Sequence, residues 1–240
     1  MPIDDVLFQR LRSAQRPDLI SLISDLKLDA NKFQGKPDDE LVDAISAELR
    51  SVAGNSLMNP TRGPHDFLYK ELLVDVADKL APGLTSWSHF RVSGPESEVE
   101  IEDYIAERVE VRVAELVSAM NEEDRRKLQA RLELDMQSKG IPESVTRAAV
   151  TGLSTGAISG IAFGPLIASL LYSGLWTSIF GLTTAQVLLG GVALGGPVGI
   201  GLAAIAVLSG PSYSKTIPAV YRLILIRRSA EAREAMRGQS

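Results

Sequence analysis

The feature that most constrains the fold is a run of 67 consecutive residues, 148–214, that contains no Asp, Glu, Lys, Arg or His. A helix that crosses a bilayer needs about 20 mostly apolar residues, so the run is long enough for two crossings. Helix-breaking pairs interrupt it, among them Gly164-Pro165 and Gly190-Gly191. These breaks predict one helix over about 148–171 and a second over about 187–209, which together form an apolar hairpin.

Glycine recurs at every fourth position in two parts of this run. A glycine inside a helix costs roughly 1 kcal/mol relative to alanine, but glycines four residues apart leave a smooth groove along one helix face. Such a groove lets a second helix backbone approach closely, within one chain or between copies. A hairpin inserted in a bilayer and a hairpin buried in a soluble core both fit this pattern. The predicted helix-packing and oligomerisation residues are Gly152, Gly156, Gly160, Gly164, Gly191, Gly195 and Gly199.

Charge is distributed unevenly along the chain. Residues 1–147 carry a net charge of −9 and residues 215–240 carry +4, which gives −5 for the whole chain. An acidic body lacks the basic footprint that nucleic-acid binding requires, so we expect no nucleic-acid partner. Basic residues flank the apolar run, with Arg147 before it and Lys215 after it. The positive-inside rule then keeps both flanks on the cytoplasmic side and requires an even number of crossings.

The C-terminal segment, SKTIPAVYRLILIRRSAEAREAMR, is typical of an amphipathic helix with a basic polar side. Two interpretations stay open: the helix lies on anionic lipid headgroups, or it packs as a cover over the protein core. Trp176 and Phe180 fall between the two hairpin helices and suit a membrane interface. Under the first interpretation the membrane-interface residues are Trp176, Phe180, Lys215, Arg222, Arg227 and Arg228.

The first 147 residues have the pattern of short amphipathic helices. In KPDDELVDAISAELRSVAG, Pro37 precedes an acidic first turn and Gly54 marks the end of the helix. The segment PGLTSWSHFRVSGP, residues 82–95, is rich in Pro, Gly and Ser and is the best linker candidate. We therefore predict an all-α protein: a multi-helical, acidic soluble domain over 1–140, then over 141–240 a glycine-rich apolar helical hairpin and a basic amphipathic C-terminal helix.

Signs of catalytic chemistry are weak. The chain has no cysteine, which excludes disulfides, thiolate zinc sites and thiol nucleophiles. Its two histidines, His65 and His89, lack neighbouring metal ligands, and Ser212 to Lys215 matches S-x-x-K spacing without the partner motifs of that chemistry. We expect no catalytic residues, no metal and no cofactor. The N-terminus has no basic segment followed by an apolar one, so we expect no signal peptide.

Four stretches resemble a known family: AELRSVAGNSLMNPTRG at 47–63, LYKELLVDVADKL at 68–80, LGGPVGIGLAAIAVLSG at 194–210 and SYSKTIPAVYRLILIRR at 212–228. In order and spacing they are similar to the bacterial YaaW proteins, which are uncharacterised. That group is remotely placed with the ubiquinol–cytochrome c chaperone family, a helical family that helps to assemble a respiratory complex. The resemblance implies a bacterial, helical and non-enzymatic protein, and it supplies no catalytic residues.

Two functions from different classes fit these observations. In the first, the protein associates with the inner membrane from the bacterial cytoplasm: the hairpin inserts into or perturbs the bilayer, self-associates through its glycine faces, and forms a homo-oligomer or a pore, with both termini cytoplasmic. Residues 1–140 then bind a protein client or regulator. In the second, the protein is a chaperone-like assembly factor for membrane (respiratory) proteins, and the hairpin is its soluble core.

Overall fold

A computed structural model describes eight parts of the chain, and within them every regular element is helical. This confirms the all-α fold class for the described residues. The predicted glycine-rich hairpin lies outside them apart from residues 150–151, and so do its seven glycines, Trp176 and Phe180. In the described part of the chain, no helix combines the length and hydropathy that a membrane crossing requires. The described residues are 5–54, 68–81, 88–119, 121–138, 143–144, 146–147, 150–151 and 213–238.

The described helices are amphipathic or buried segments. Among the described residues one 3₁₀ helix occurs, Ala30–Phe33, which lies between the α-helices Arg16–Asp25 and Asp38–Gly54. The α-helices are α1 (Asp5–Ser13), α2 (Arg16–Asp25), α3 (Asp38–Gly54), α4 (Tyr69–Leu80), α5 (Glu98–Ala119), α6 (Glu122–Ser138) and α7 (Tyr213–Arg237).

The chain forms two compact units. Unit 1 consists of Met1–Ala106 together with Lys215–Ser240, and unit 2 is Glu107–Ser214. Unit 2 is therefore inserted in the sequence of unit 1. In this division α7 groups with the N-terminal helices and not with the apolar run that precedes it, and the domain boundary near residue 140 stays a prediction.

The core of unit 1 is built around α3, which packs against α1, α2 and α4. Leucine dominates this core because its unbranched Cβ suits a helix while its side chain fills the space between helices. The fully buried positions include Leu7, Leu11, Leu19, Leu22, Leu41, Ile45, Leu49 and Leu73. Part of the predicted linker also packs here: Phe90 is buried, and its ring meets that of Tyr104 edge to face with centroids 5.1 Å apart.

Helix α7 has a buried half and an exposed half. Residues 216–224 are buried on every side of the helix, and from Arg228 onward most side chains are exposed. A helix that is apolar all round is a core element, whereas a surface helix buries one stripe. This burial favours the interpretation in which α7 packs over the core, and its contact with a lipid surface stays a prediction. Its buried apolar side chains are Ile217, Ala219, Val220, Tyr221, Leu223, Ile224 and Ile226.

Four apolar side chains in the described part of unit 2 are buried. Val109 and Val113, on the predicted apolar stripe of α5, are buried, and so are Leu132 and Met136 of α6. The first half of that stripe, Ile101 and Ile105, is buried in unit 1. Helix α6 begins directly after Asn121, as its acidic first turn predicts.

The end of α2 provides a stability prediction. The amide of Lys27 donates to the carbonyl of Ser24, and that of Leu28 donates to Ile23, while Lys27 has a φ of 58°. This is the Schellman arrangement, whose left-handed position favours glycine because a Cβ is strained there. We expect Lys27→Gly to raise the free energy of unfolding by about 1 kcal/mol. Urea denaturation followed by circular dichroism measures it, and a loss of stability would contradict the backbone argument.

Candidate functional site: the ion pairs of helix α7

The basic side chains of α7 point to carboxylates on three other helices of unit 1. Lys215 Nζ lies 3.1 Å from Glu48 Oε1 of α3. Arg222 meets Asp25 at the end of α2, with its Nε 2.5 Å from Oδ2 and its Nη2 3.4 Å from Oδ1. Both side chains of this second pair are 3 % exposed. A guanidinium that donates two bonds to one carboxylate forms the strongest type of protein ion pair, so Arg222 fixes the register of α7 against α2.

A second buried cluster surrounds Glu102 of α5, whose side chain is 0 % exposed. Its Oε1 accepts a 2.9 Å hydrogen bond from the Tyr69 hydroxyl and one of 3.3 Å from Arg10 Nε. Its Oε2 lies 2.5 Å from Arg227 Nε, as an ion pair whose angles are not those of a hydrogen bond. The Glu102 carboxylate therefore joins α1, α4, α5 and α7, and a substitution at Glu102 removes or alters contacts among all four helices.

Two further carboxylates complete the charge balance around Arg227. Its Nη2 donates to Asp103 Oδ1 at 2.5 Å, and its Nη1 lies 3.1 Å from Glu231 Oε1, one turn along α7. Arg228 Nη2 shares Asp103 at 3.2 Å. The guanidinium of Arg227 is thus surrounded by three carboxylates, which offsets the cost of removing it from water.

The pKa values of the cluster follow from this arrangement. Burial, strengthened by the neighbouring Glu102 carboxylate, raises the pKa of Tyr69 well above its usual value. Burial alone would lower the pKa of Arg227, but the hydrogen bond to Asp103 and the charge of Glu102 raise it. Tyr69 therefore stays a neutral donor and Arg227 stays charged at physiological pH. The arrangement is suited to holding helices together, and a phenol with a raised pKa is a poor general base.

Asp103 gives the cluster an acid-sensitive component. Burial tends to raise the pKa of Asp103, but hydrogen bonds from Arg227 and Arg228 outweigh it and lower the pKa. A carboxyl whose pKa is lower in the folded state adds stability above its unfolded pKa, about 3.9. That stability is lost as the pH falls from there through the folded value.

We expect Asp103→Asn to reduce the loss of stability on acidification. Thermal unfolding followed by circular dichroism from about pH 6 to pH 2 covers the range in which aspartates titrate. The melting temperature of the variant should fall less steeply below about pH 4 than that of the wild type. Asp43→Asn, at an exposed position of α3, is the matched control. Identical acid slopes for wild type and Asp103→Asn would contradict the role of the arginine hydrogen bonds.

Removing α7 from unit 1 would cost a large amount of free energy. Fully burying one aliphatic or aromatic side chain contributes about 1.5–3 kcal/mol, and α7 buries six side chains larger than alanine. The total is similar to the whole stability of a typical domain, about 5–15 kcal/mol. Undocking would also separate the buried Asp25 from Arg222 and the buried Glu102 from Arg227, while Glu102 would keep its pair with Arg10. Unit 1 and α7 therefore form one cooperative structure.

Four of the predicted membrane-interface residues lie in the described part of the chain. Lys215, Arg222, Arg227 and Arg228 all meet carboxylates of unit 1, and Arg222 and Arg227 are 2 % and 4 % exposed. Their role at a membrane interface stays a prediction. The predicted glycine-packing residues and Trp176 and Phe180 fall outside the described residues. His89 is exposed, with its ring centroid 4.0 Å from that of Phe90, and among the described residues no cluster of metal-ligating side chains occurs.

The carboxylates that these cations meet were not predicted. Glu102 lies one helical turn before Ala106, a buried apolar residue of α5, and a carboxylate that shares a helix face with an apolar residue is a signal of a buried ion pair. Arg222 gives the same signal, because it stands inside the apolar string AVYRLILI. Asp25 has no such signal, since it ends an ordinary amphipathic helix.

The described helices and their buried ion pairs define an all-α protein in which the C-terminal helix is part of the core. The chain is similar to the UPF0174 protein YaaW of Escherichia coli O157:H7, with 28% identity over 199 residues, covering 78% of this chain and 71% of the relative. It has the same identity and coverage with the UPF0174 protein YaaW of Escherichia coli strain K12. These matches support assignment to the YaaW family, as the four sequence stretches predict. No family model matches the chain, and no solved structure matches it.

Proposed function

We propose that this is a non-enzymatic protein that associates with a lipid bilayer through the apolar run 148–214 and self-associates through the glycine faces of that run. The main observation behind the proposal is that the 67 consecutive residues of this run include no charged side chain. Each charged residue at the centre of a membrane helix costs about 2.5–3.5 kcal/mol during insertion, and this run has none. In soluble proteins, charged residues make up about a quarter of the chain.

The two glycine series support self-association. Lipid tails are as apolar as leucine, so helices in a bilayer associate by close packing more than by the hydrophobic effect. Glycines at four-residue spacing, such as Gly152 and Gly156, allow that close approach. The proposed assembly is a homo-oligomer of hairpins, of which a pore is one form.

Unit 1 is proposed to stay in the bacterial cytoplasm, next to the inner membrane, with both termini on that side. Its helices expose many charged side chains, among them Asp38, Asp39 and Glu40 in the first turn of α3. Such a surface suits contact with water or with a protein client or regulator. The binding of such a partner through residues 1–140 is part of this proposal.

Vesicle flotation tests the membrane proposal. We expect the purified full-length protein to float with liposomes in a density gradient. The double variant Ile161→Arg and Val198→Arg places a charge near the middle of each predicted hairpin helix and should abolish flotation. The control variant Leu134→Arg and Val111→Arg makes comparable changes at exposed positions of α6 and α5 and should float normally. A wild-type protein that stays at the bottom of the gradient would show that the proposal is wrong.

A second candidate is a chaperone-like assembly factor for membrane proteins, in which the apolar run is a soluble core. One observation favours it: the cationic groups at the start and middle of α7 meet carboxylates within the same chain. The flotation experiment separates the two candidates. The second candidate predicts a protein that does not float with vesicles and that stays in the soluble fraction without carbonate or detergent extraction. It also predicts that the protein co-purifies with subunits of a membrane complex.

A further inference from the structure

We infer that α7 is a fixed anchor for the end of the apolar run: it stays docked in unit 1 while the run is in the bilayer, and membrane association requires no anionic headgroups. This inference rests on the proposed function for its membrane part. Its first part, that α7 does not leave unit 1, is a property of the protein alone and is tested separately.

The junction between the apolar run and unit 1 carries the first step. The uncharged run ends at Ser214, and the next residue, Lys215, is paired with Glu48 of α3. Thr216 and Ile217, directly after it, are 2 % and 4 % exposed. Helix α7 begins at Tyr213, so the last two residues of the run already belong to the helix that packs in unit 1. The chain must therefore return to the side of the bilayer on which unit 1 lies, which requires an even number of crossings independently of the positive-inside rule.

The buried charges carry the second step. A helix that moved from unit 1 to a lipid surface would expose the apolar residues between Ile217 and Ile226. It would also break the pairs of Arg222 with Asp25 and of Arg227 with Glu102, two carboxylates whose side chains are 3 % and 0 % exposed. Contacts with lipid headgroups would have to compensate both for the exposed apolar side chains and for the two broken ion pairs. The docked state is therefore the stable state of α7 with or without a membrane.

The exposed half of α7 carries the third step. Attraction to anionic lipid comes from a cluster of unpaired Lys and Arg near the surface. After Arg228, which shares Asp103, the remaining charged residues of α7 are Glu231, Glu234, Arg233 and Arg237, whose charges cancel. Docked α7 thus offers no cationic face. Insertion is driven by the apolar run, so zwitterionic and anionic vesicles should bind equally.

A reversible cross-link tests the anchor in the presence of membrane. The chain has no cysteine, so Glu48→Cys with Lys215→Cys introduces one unique pair at side chains whose tips meet at 3.1 Å. A short bis-methanethiosulfonate reagent, from which each cysteine thiolate displaces methanesulfinate to form a reducible disulfide, then locks α7 to α3. The control pair, Arg16→Cys with Asp38→Cys, joins two exposed positions of α2 and α3 that also form an ion pair.

Flotation of the locked and the reduced protein gives the result. The locked and the reduced protein are each tested with phosphatidylcholine vesicles and with vesicles that contain phosphatidylglycerol. We expect the four floated fractions to agree within about twofold, since α7 provides no cationic headgroup site. If locking prevents flotation and reduction restores it, α7 has to leave unit 1 and the anchor is wrong. If only the anionic vesicles float the protein, the headgroup part is wrong.

Hydrogen exchange of the unmodified protein separates failure of the anchor from failure of the proposed function. If no sample floats with either vesicle, the proposed function fails, and exchange without vesicles then decides the anchor. A docked core helix opens only with the global unfolding of its unit. We expect amides of residues 219–224 and of 41–49 to exchange at rates within about tenfold of each other, as they would in one cooperative unit. Exchange in α7 that is about a hundredfold faster than in α3 would show separate opening and overturn the anchor.

Discussion

Arg222→Met should lower the free energy of unfolding of unit 1 by about 3–5 kcal/mol, the usual cost of removing one partner from a buried ion pair. The Asp25 side chain, which is 3 % exposed, would lose both of its bonds to the guanidinium. Methionine retains the volume of the aliphatic stem, so packing changes little. Hydrogen exchange of the α3 amides reports the stability of unit 1 without a contribution from unit 2.

Two comparisons separate the ion pair from other effects of the substitution. The double variant Asp25→Leu and Arg222→Met removes both charges and should recover most of the lost stability, because an apolar pair replaces the ionic one. Arg228→Met changes a neighbouring arginine of α7 that is 42 % exposed, and should cost less than about 1 kcal/mol. Equal losses from Arg222→Met and Arg228→Met would contradict the burial argument.

The sequence predicts the local structure of the described helices well, because the signals are local. Helix α3 ends at Gly54 after an acidic first turn, as its Pro37 and glycine signals indicate. The apolar stripe of α5 is buried at Ile101, Ile105, Val109 and Val113. A period of 3.6 residues is visible within a few turns of one segment, so no information from elsewhere in the chain is needed.

The position of α7 depends on contacts that a local pattern does not contain. Arg222 and Asp25 are separated by 197 residues, and Arg227 and Asp103 by 124. In the sequence, the cations of the C-terminal segment make a basic tail next to an apolar run, which fits a lipid surface as well as a helix packed over the core. In the structure the same cations meet the acidic body of the same chain. The net charge of a segment therefore says little about its partner until the groups that neutralise it are located.

The two halves of α7 show how far the amphipathic pattern extends. The predicted apolar face, Ile217, Val220, Tyr221 and Ile224, is buried. Leu223 is also buried, although it lies off that face, since helices of unit 1 cover α7 from several sides. One apolar stripe identifies a face of the helix that is buried. It does not show how many other helices pack against the remaining faces.

Glu102→Gln should lower the stability of unit 1 by about 3 kcal/mol, near the lower end of the cost of breaking a buried ion pair. The glutamine keeps the shape of the side chain and an oxygen that accepts from the Tyr69 hydroxyl, but it removes the charge between Arg10 and Arg227. Asp103 and Glu231 remain to neutralise Arg227, which is why the loss does not reach the upper end. Hydrogen exchange of the α3 and α4 amides measures it.

Asp103→Asn is the matched control, since it also replaces a carboxylate that contacts Arg227 with the corresponding amide. Asp103 is 51 % exposed and Glu102 is 0 % exposed, so water replaces most of what Asp103 contributes and little of what Glu102 contributes. At neutral pH the control should cost less than about 1 kcal/mol. Tyr69→Phe removes one hydrogen bond to the same carboxylate and should cost about 1–2 kcal/mol. If Glu102→Gln cost no more than Asp103→Asn, the carboxylate would not be the point that joins α1, α4, α5 and α7.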